Sequence, residues 1–291
     1  MTTFEDLGLP MELVEGLMAA GAEEPTRLQA DATPVLMRGN PAVLAAGPGA
    51  GTLWAWAAPT LARVMEDETP GSVLVLTRSA EMADEVAEVV GRLAAAAGLR
   101  VVGEGRQWVL PELAHVHVLS ATAAAERLSR SNLSLDPVRT VVIDAGTTEE
   151  ALAPASRVLE AVPTGVQKVM VALPLTSAVD RFTEQHLRKA VHIPPRFAAE
   201  MAPFVAMAGE FRVHYAGFFD PGFGHAAAGG AGARGVLEVR CHEAPFVLEH
   251  GQIVGRLVYE RMDTVPERLY GAGIASNYQG QGLKLAKHFR D

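Results

Sequence analysis

The chain has 291 residues, 49% of them hydrophobic, enough for one large domain or two ordinary ones with a substantial core. Its formal net charge of −9 argues against a phosphate-backbone partner, and no apolar run is long enough to cross a bilayer. A single cysteine, Cys241, excludes an internal disulfide and a cysteine-rich zinc site, and the acidic MTTFEDLGLP start lacks signal-peptide character, so a cytoplasmic protein without membrane attachment is expected.

In chain order, MELVEGLMAAG has helical spacing and a closing glycine. PAVLAA is a short apolar run that leads into the glycine-rich turn of VLAAGPGAGTLWAW, and LWAWAAPTLARVM reads as a helix. SVLVLT reads as a buried strand and SAEMADEVAEVVGRLAAAAG as a long helix. Further apolar runs follow in AHVHVLS, VRTVVID and KVMVALP. Strands alternating with helices imply a parallel sheet covered on both faces. After about residue 193 the pattern changes to alternating apolar and polar residues with frequent Gly, Pro and Asn, which reads as mostly antiparallel β structure. Pro194-Pro195 marks the joint, so the expected units are 1–193 and 194–291. HAAAGGAGARG is a low-complexity loop. Charge divides in the same way: residues 1–193 carry 24 Asp+Glu against 15 Lys+Arg, whereas 194–291 carry ten of each.

The order of segments over residues 3–193 resembles the first RecA-like domain of DEAD-box RNA helicases. Phe4 and EEPTRLQADATPVLMRG, with Gln29, resemble the adenine-reading Q motif. AGPGAGTL, with Gly47, Gly49, Gly51 and Thr52, stands at the P-loop. VLVLTRSAEMADEV falls at a motif that normally contacts nucleic acid, and VHVLSATAAAERL falls where Thr-Pro-Gly is expected. VVIDAGTTE, with Asp144, stands at Asp-Glu-Ala-Asp, and MVALPLT stands at Ser-Ala-Thr.

The departures remove chemistry. A P-loop lysine reaches the β- and γ-phosphates and the next hydroxyl helps hold Mg²⁺. Thr52 and Leu53 occupy those places. Asp144 survives as a metal carboxylate, but Ala145 replaces the water-orienting glutamate and Ala172-Leu173-Pro174 replaces the coupling element. A second RecA domain with its arginine finger does not occur in the 291 residues. ATP hydrolysis is therefore not expected. The glycine turn reads as a strand–turn–helix corner kept for folding, or as a weak anion site at a helix N-terminus. Gln29 reads either as a relic of adenine recognition or as an ordinary surface residue.

Residues 197–291 resemble the C-terminal half of bacterial dCTP deaminases, relatives of the trimeric dUTPases. The resemblance is carried by EFRVHYAGFFDPGFGH, GVLEVRCHEAPFVLEHGQIVGRLVYERM, RLYGAGIASNYQGQG and LKLAKHFR. It implies Glu238 as the general acid–base that takes a proton from water and passes it to the leaving ammonia. It also implies that His214, Tyr215, Ala216 and Gly217, leading to Asp220 in DPGFG, line the pyrimidine and sugar pocket, with Tyr270 near the base and ribose. Tyr278 and Gln281 would lie in a tail over the triphosphate, with positive charge from Lys284 and Lys287. The resemblance further implies dCTP as the ligand, Mg²⁺ carried with the triphosphate, no zinc, and sites built between subunits of a trimer. The zinc-deaminase signature is absent from the sequence. The Ser-Ser-x-x-Arg-like stretch and the early strands of the β-fold do not precede this segment. Ser177 and Arg181 in LTSAVDRFTEQ stand at a comparable spacing, but that stretch fits the α/β pattern and reads as coincidence. On the residues alone, Glu238 also reads as an outward strand charge, and DPGFG as a plain turn.

Three readings follow: a dCTP deaminase-like protein, active or not, fused to an ATPase-dead helicase-like domain; a non-catalytic DEAD-box-like module that binds RNA or a protein partner; or a joining of two truncated domains in which neither half is active. Weak or no nucleic-acid binding is expected from the acidic first unit.

Overall fold

A computed structural model describes residues 2–47, 49–105, 110–194, 197–203, 211–215, 219–225, 232–235, 237–241, 255–262 and 268–271. The chain divides into two compact units, Met1–Pro194 and Pro195–Asp291.

The first unit is a seven-stranded, wholly parallel sheet in the order β3-β4-β2-β5-β6-β1-β7. The strands are β1 (Ala42–Leu44), β2 (Val73–Thr77), β3 (Val101–Val102), β4 (Val116–Ser120), β5 (Thr140–Asp144), β6 (Gln167–Val171) and β7 (Val191–Ile193). The helices are α1 (Met11–Ala19), α2 (Arg27–Met37), α3 (Thr52–Asp67), α4 (Ala80–Ala96), α5 (Ala121–Ser129), α6 (Glu149–Ala161) and α7 (Ser177–His186). The central strands are continuous apolar runs because helices cover both faces. Leu74, Leu76, Leu119, Val141, Ile143 and Met170 pack with the inner faces of α5, α6 and α7. Their alternate neighbours, among them Val73, Val75 and Val142, are buried on the other side, where α1–α4 pack together.

Sequence sets the helix starts. Thr26, Ser79, Ser120, Thr148 and Thr176 are N-caps, each accepting from a backbone N–H three residues on. A polar hub ties the opposite, N-terminal edge of the sheet. Gln167, 4% exposed, donates to the carbonyls of Leu36 (3.1 Å) and Asn40 (2.9 Å) and accepts from Arg63 and from Thr140 (3.3 Å). Four segments thereby satisfy one buried amide, as a buried polar group requires.

In the second unit, β8 (Phe197–Pro203) pairs antiparallel with β11 (Gly255–Arg261), and β9 (Phe211–Tyr215) pairs antiparallel with β10 (Leu237–Cys241). The turn at 220–224 packs on Leu269 and Tyr270: Tyr270 N–H donates to Pro221 O (2.8 Å), and the Phe223 ring stands 4.9 Å from Phe219 and 5.8 Å from Tyr270.

Candidate functional site

The C-terminal ends of parallel strands are where an α/β sheet holds ligands, and the helicase-like positions gather there. After β1 the chain turns through Gly49 (φ 82°) and Gly51 (φ 73°), and Thr52 opens α3. Gly51 is the N-cap in the left-handed region, a conformation that favours glycine. A Cβ there would also collide with the Gln29 amide.

The turn is stapled to α2 by two side chains. Thr26 Oγ1 donates to Ala50 O (2.7 Å) and accepts from Gln29 N (3.3 Å). Gln29 Nε2 donates to Gly51 O (3.0 Å), and its Oε1 accepts from Thr26 N (2.9 Å). Gln29 is 2% exposed, which overturns its reading as a surface residue. Both ends of its amide bond the chain itself, so the group that would read a purine edge is already engaged.

Among the described residues, no lysine stands near this turn. The first unit contains only Lys168 and Lys189. Lys168 is the second residue of β6, at the opposite edge of the sheet, where Nζ donates to His186 O (3.1 Å). Lys189 lies just before β7 and so at that edge too. Over Gly47 stands instead Leu173, 52% exposed, placed to touch a Cβ there at 3.8 Å.

Asp144 ends β5, level with Thr77 of β2. Burial pushes its carboxyl above the usual range, and the Arg78 guanidinium partly opposes that shift. Ala145 beside it is buried. Among the described residues, no three His, Cys, Asp or Glu side chains cluster so as to hold a metal ion.

Further along the same edge, two carboxylates occupy backbone donors. Glu104 Oε2 accepts from the N–H of Ser120, the N-cap of α5 (2.6 Å), and Asp84 Oδ1 accepts from Gly105 N (3.0 Å). A helix N-terminus is a natural place for an anion; here the anion is the chain's own glutamate. Sequence reasoning missed Thr26 and Glu104. The Thr-x-x-Gln spacing of a capping box could have found Thr26, whereas nothing local marks Glu104.

In the second unit the ladder β9–β10 places Glu238 directly opposite His214, with Tyr215 opposite Leu237. Asp220 opens the turn that packs on Tyr270, so those two positions also lie in neighbouring segments. Ala216, Gly217, Tyr278, Gln281, Lys284 and Lys287 lie outside the described residues.

Comparison with known proteins divides the chain similarly. Residues 175–289 match the family model described as 2′-deoxycytidine 5′-triphosphate deaminase, C-terminal domain. The deaminase match carries the second unit. It begins upstream of that unit and takes in α7, including Ser177 and Arg181, the spacing read from sequence as coincidence. In the structure Arg181 pairs with Glu149 of α6 (3.1 Å).

The N-terminal part is similar to DEAD-box helicases. It is 29% identical over 204 residues to the probable ATP-dependent RNA helicase DDX59 of Mus musculus, covering 65% of this chain and 32% of that protein. It is 29% identical over 151 residues to the DEAD-box ATP-dependent RNA helicase CshA of Geobacillus kaustophilus, covering 50% and 32%. The chain thus spans about a third of the length of these curated relatives. The fold is that of a DEAD box protein from Methanococcus jannaschii (TM-score 0.59, 18% identity, 66% of this chain and 55% of that one). Dbp5 of S. cerevisiae, solved bound to RNA and ADP BeF3, gives a TM-score of 0.58 at 20% identity over 66% and 51%. The first unit is therefore a RecA-like α/β domain.

Proposed function

We propose that the chain handles a pyrimidine deoxynucleotide through its second unit, and that the RecA-like unit is a scaffold that does not hydrolyse ATP. The observation that carries this reading is the deaminase match over 175–289, which encloses the Glu238–His214 pair of the β9–β10 ladder. In the reaction, Glu238 takes a proton from water as its oxygen bonds to C4 of the cytosine. It then passes a proton to the C4 amino group, the C4–N bond breaks, and dCTP plus water becomes dUTP plus ammonia. His214, Tyr215, Asp220 and Tyr270 would border the base and sugar. Tyr278, Gln281 and Lys284 would serve the triphosphate, whose Mg²⁺ arrives as part of the substrate. A homotrimer would complete each site, and a cytoplasmic location suits a nucleotide substrate.

Incubation with dCTP and Mg²⁺ tests the reading: ammonia release is expected, and Glu238→Gln abolishes it. No release at high protein concentration overturns the catalytic part. Dbp5, bound to RNA, favours a second reading of the first unit as an RNA-binding module. The glutamate on the α5 N-terminus and the acidic charge balance stand against it. Titration with fluorescent single-stranded RNA at low salt decides: saturable binding supports the RNA module, and none excludes an electrostatic RNA interaction.

A further inference from the structure

Helices α6 and α7 bring a serine hydroxyl and an imidazole together at the edge of the sheet opposite the glycine turn. Ser156 stands in the middle of α6, His186 is the last residue of α7, and Ser156 Oγ lies 2.6 Å from His186 Nε2. Lys168 of β6 donates from Nζ to the backbone O of His186 (3.1 Å). All three residues are half-buried. The buried Phe182 ring, one turn back on α7, stands 4.9 Å from the imidazole and backs it. The reaction proposed for Glu238 uses none of these groups.

A serine inside a helix commonly returns its hydroxyl to the carbonyl one turn back or points it to water; this one meets a ring on another helix. An alcohol is a weak nucleophile until a base stands within hydrogen-bond reach of its proton. His186 can be that base at neutral pH. Burial holds it below its ordinary value of 6.5, Lys168 lowers it further, and Glu160 opposes the shift. The ring is therefore neutral at pH 7, and with its own proton on Nδ1 it accepts the Ser156 hydroxyl at Nε2. The Lys168 ammonium has three donors, one of them taken by His186 O, which leaves two for a developing oxyanion. Glu160, one turn on from Ser156, supplies negative charge against the imidazolium that forms as the proton moves.

We propose that Ser156 and His186 form a nucleophile–base pair that takes up an acyl group from a small activated ester or thioester, with Lys168 beside the oxyanion. Ser156 Oγ bonds to the acyl carbon as its proton passes to His186 Nε2. The bond from that carbon to the leaving oxygen or sulfur then breaks, and the leaving group departs with the proton from Nε2. The products are acyl-Ser156 and a free alcohol or thiol, and water admitted to the same ring can hydrolyse the acyl-serine to a carboxylic acid. Every group in the inference belongs to the first unit, so it stands apart from the deoxynucleotide reading of the second.

Incubation of the full chain with p-nitrophenyl acetate tests the pair, with p-nitrophenolate release as the rate and peptide mass spectrometry to place the acetyl group. Acetylation of Ser156 is expected. His186→Gln should slow it about a hundredfold or more, and Lys168→Gln about tenfold or more. The wild-type chain also gives a readout that misfolding of a variant cannot imitate. Its Ser156 acetylation should level off above pH 6.5 and fall about tenfold per pH unit below the lowered value of His186, as the base becomes protonated. Acetyl groups found on Lys168 or on surface lysines, with none on Ser156, overturn the proposal. So does a Ser156 rate that is equal in His186→Gln, or one that keeps rising in proportion to hydroxide above pH 8.

Discussion

Gln29 is where the helicase resemblance and this chain's own chemistry part. Its amide closes a capping box with Thr26 and also holds the Gly51 carbonyl, 22 residues away. Removing a buried donor–acceptor pair of this kind costs about 1–3 kcal/mol. Gln29→Ala is therefore expected to lower the unfolding free energy by about that much in urea titrations. Gln29→Glu should behave similarly, since a carboxylate cannot donate to Gly51 O. The capping box was readable from Thr-x-x-Gln; its second partner was not, because no local pattern reports a contact between distant segments. Two other buried groups give pH dependence of opposite sign. Burial pushes Asp31 up to about 6, with Arg27 partly opposing at 3.9 Å. A raised carboxyl keeps its proton in the folded state, so its contribution to stability falls as pH rises from 3.8 to about 6. Asp31→Asn should accordingly stabilise the protein at pH 7, by about 1–3 kcal/mol, and by nothing near pH 4. His115 is held below its ordinary value of 6.5, first by burial and then by Arg100. Its Nδ1 accepts from Arg100 N (3.0 Å), which requires the neutral ring. The unfolded chain takes up that proton first, so the contribution of His115 is lost as pH falls below 6.5. In His115→Gln, denaturant midpoints measured between pH 7 and pH 5 should fall less steeply than in the wild type.

Glu104 shows the same divergence at the level of an element. Helix α5 begins in the stretch that stands where the helicase pattern has Thr-Pro-Gly, and its N-terminal dipole is met by an internal carboxylate. Charge at a helix end is worth about 0.3–1 kcal/mol when exposed and up to ~2 when partly buried. Glu104→Gln should therefore destabilise the first unit by about 0.5–2 kcal/mol in thermal melts, and less at high salt. An unchanged melting temperature at low salt would show that the carboxylate does not stabilise α5. The strands of the first unit were legible because a doubly covered parallel sheet demands unbroken apolar runs, as in Val73–Thr77 and Thr140–Asp144. Strands β3 and β7, with two and three residues, were not, since edge strands that short carry no periodicity. The site was legible as a set of missing side chains: Thr52, Leu53 and Ala145 were visible by position alone. That Glu104 takes up the Ser120 N–H depends on how β3 and β4 lie side by side, which spacing does not reveal. In the second unit the family pattern points to Glu238, and that it stands opposite His214 rather than another residue is a matter of register.

Across the whole molecule, charge and chemistry are divided between two units. The first holds the large core, a glycine turn stapled from within and only two of the four lysines. The second holds most of the deaminase match and the ladder in which Glu238 stands opposite His214. A ligand that binds only the folded state protects amides against exchange by RT ln(1 + [L]/Kd), about 2.7 kcal/mol at a hundredfold excess over Kd. With dCTP and Mg²⁺, slower hydrogen exchange is expected in β9, β10, the 220–224 turn and Leu269–Gly271. No change is expected in α2 or in the turn from Gly47 to Thr52. ATP and Mg²⁺ should slow exchange in neither set, because the Gln29 amide is engaged and no lysine of the first unit reaches the turn. Protection of Gly49–Thr52 by ATP would show that the staple from α2 opens to admit a nucleotide, and the first unit would then have to be counted as a binding domain. Protection by dCTP confined to the second unit would assign the nucleotide chemistry to the segment that carries most of the deaminase match. The RecA-like domain would then contribute stability and attachment, with the Gln29 amide at its glycine turn bonded to its own backbone.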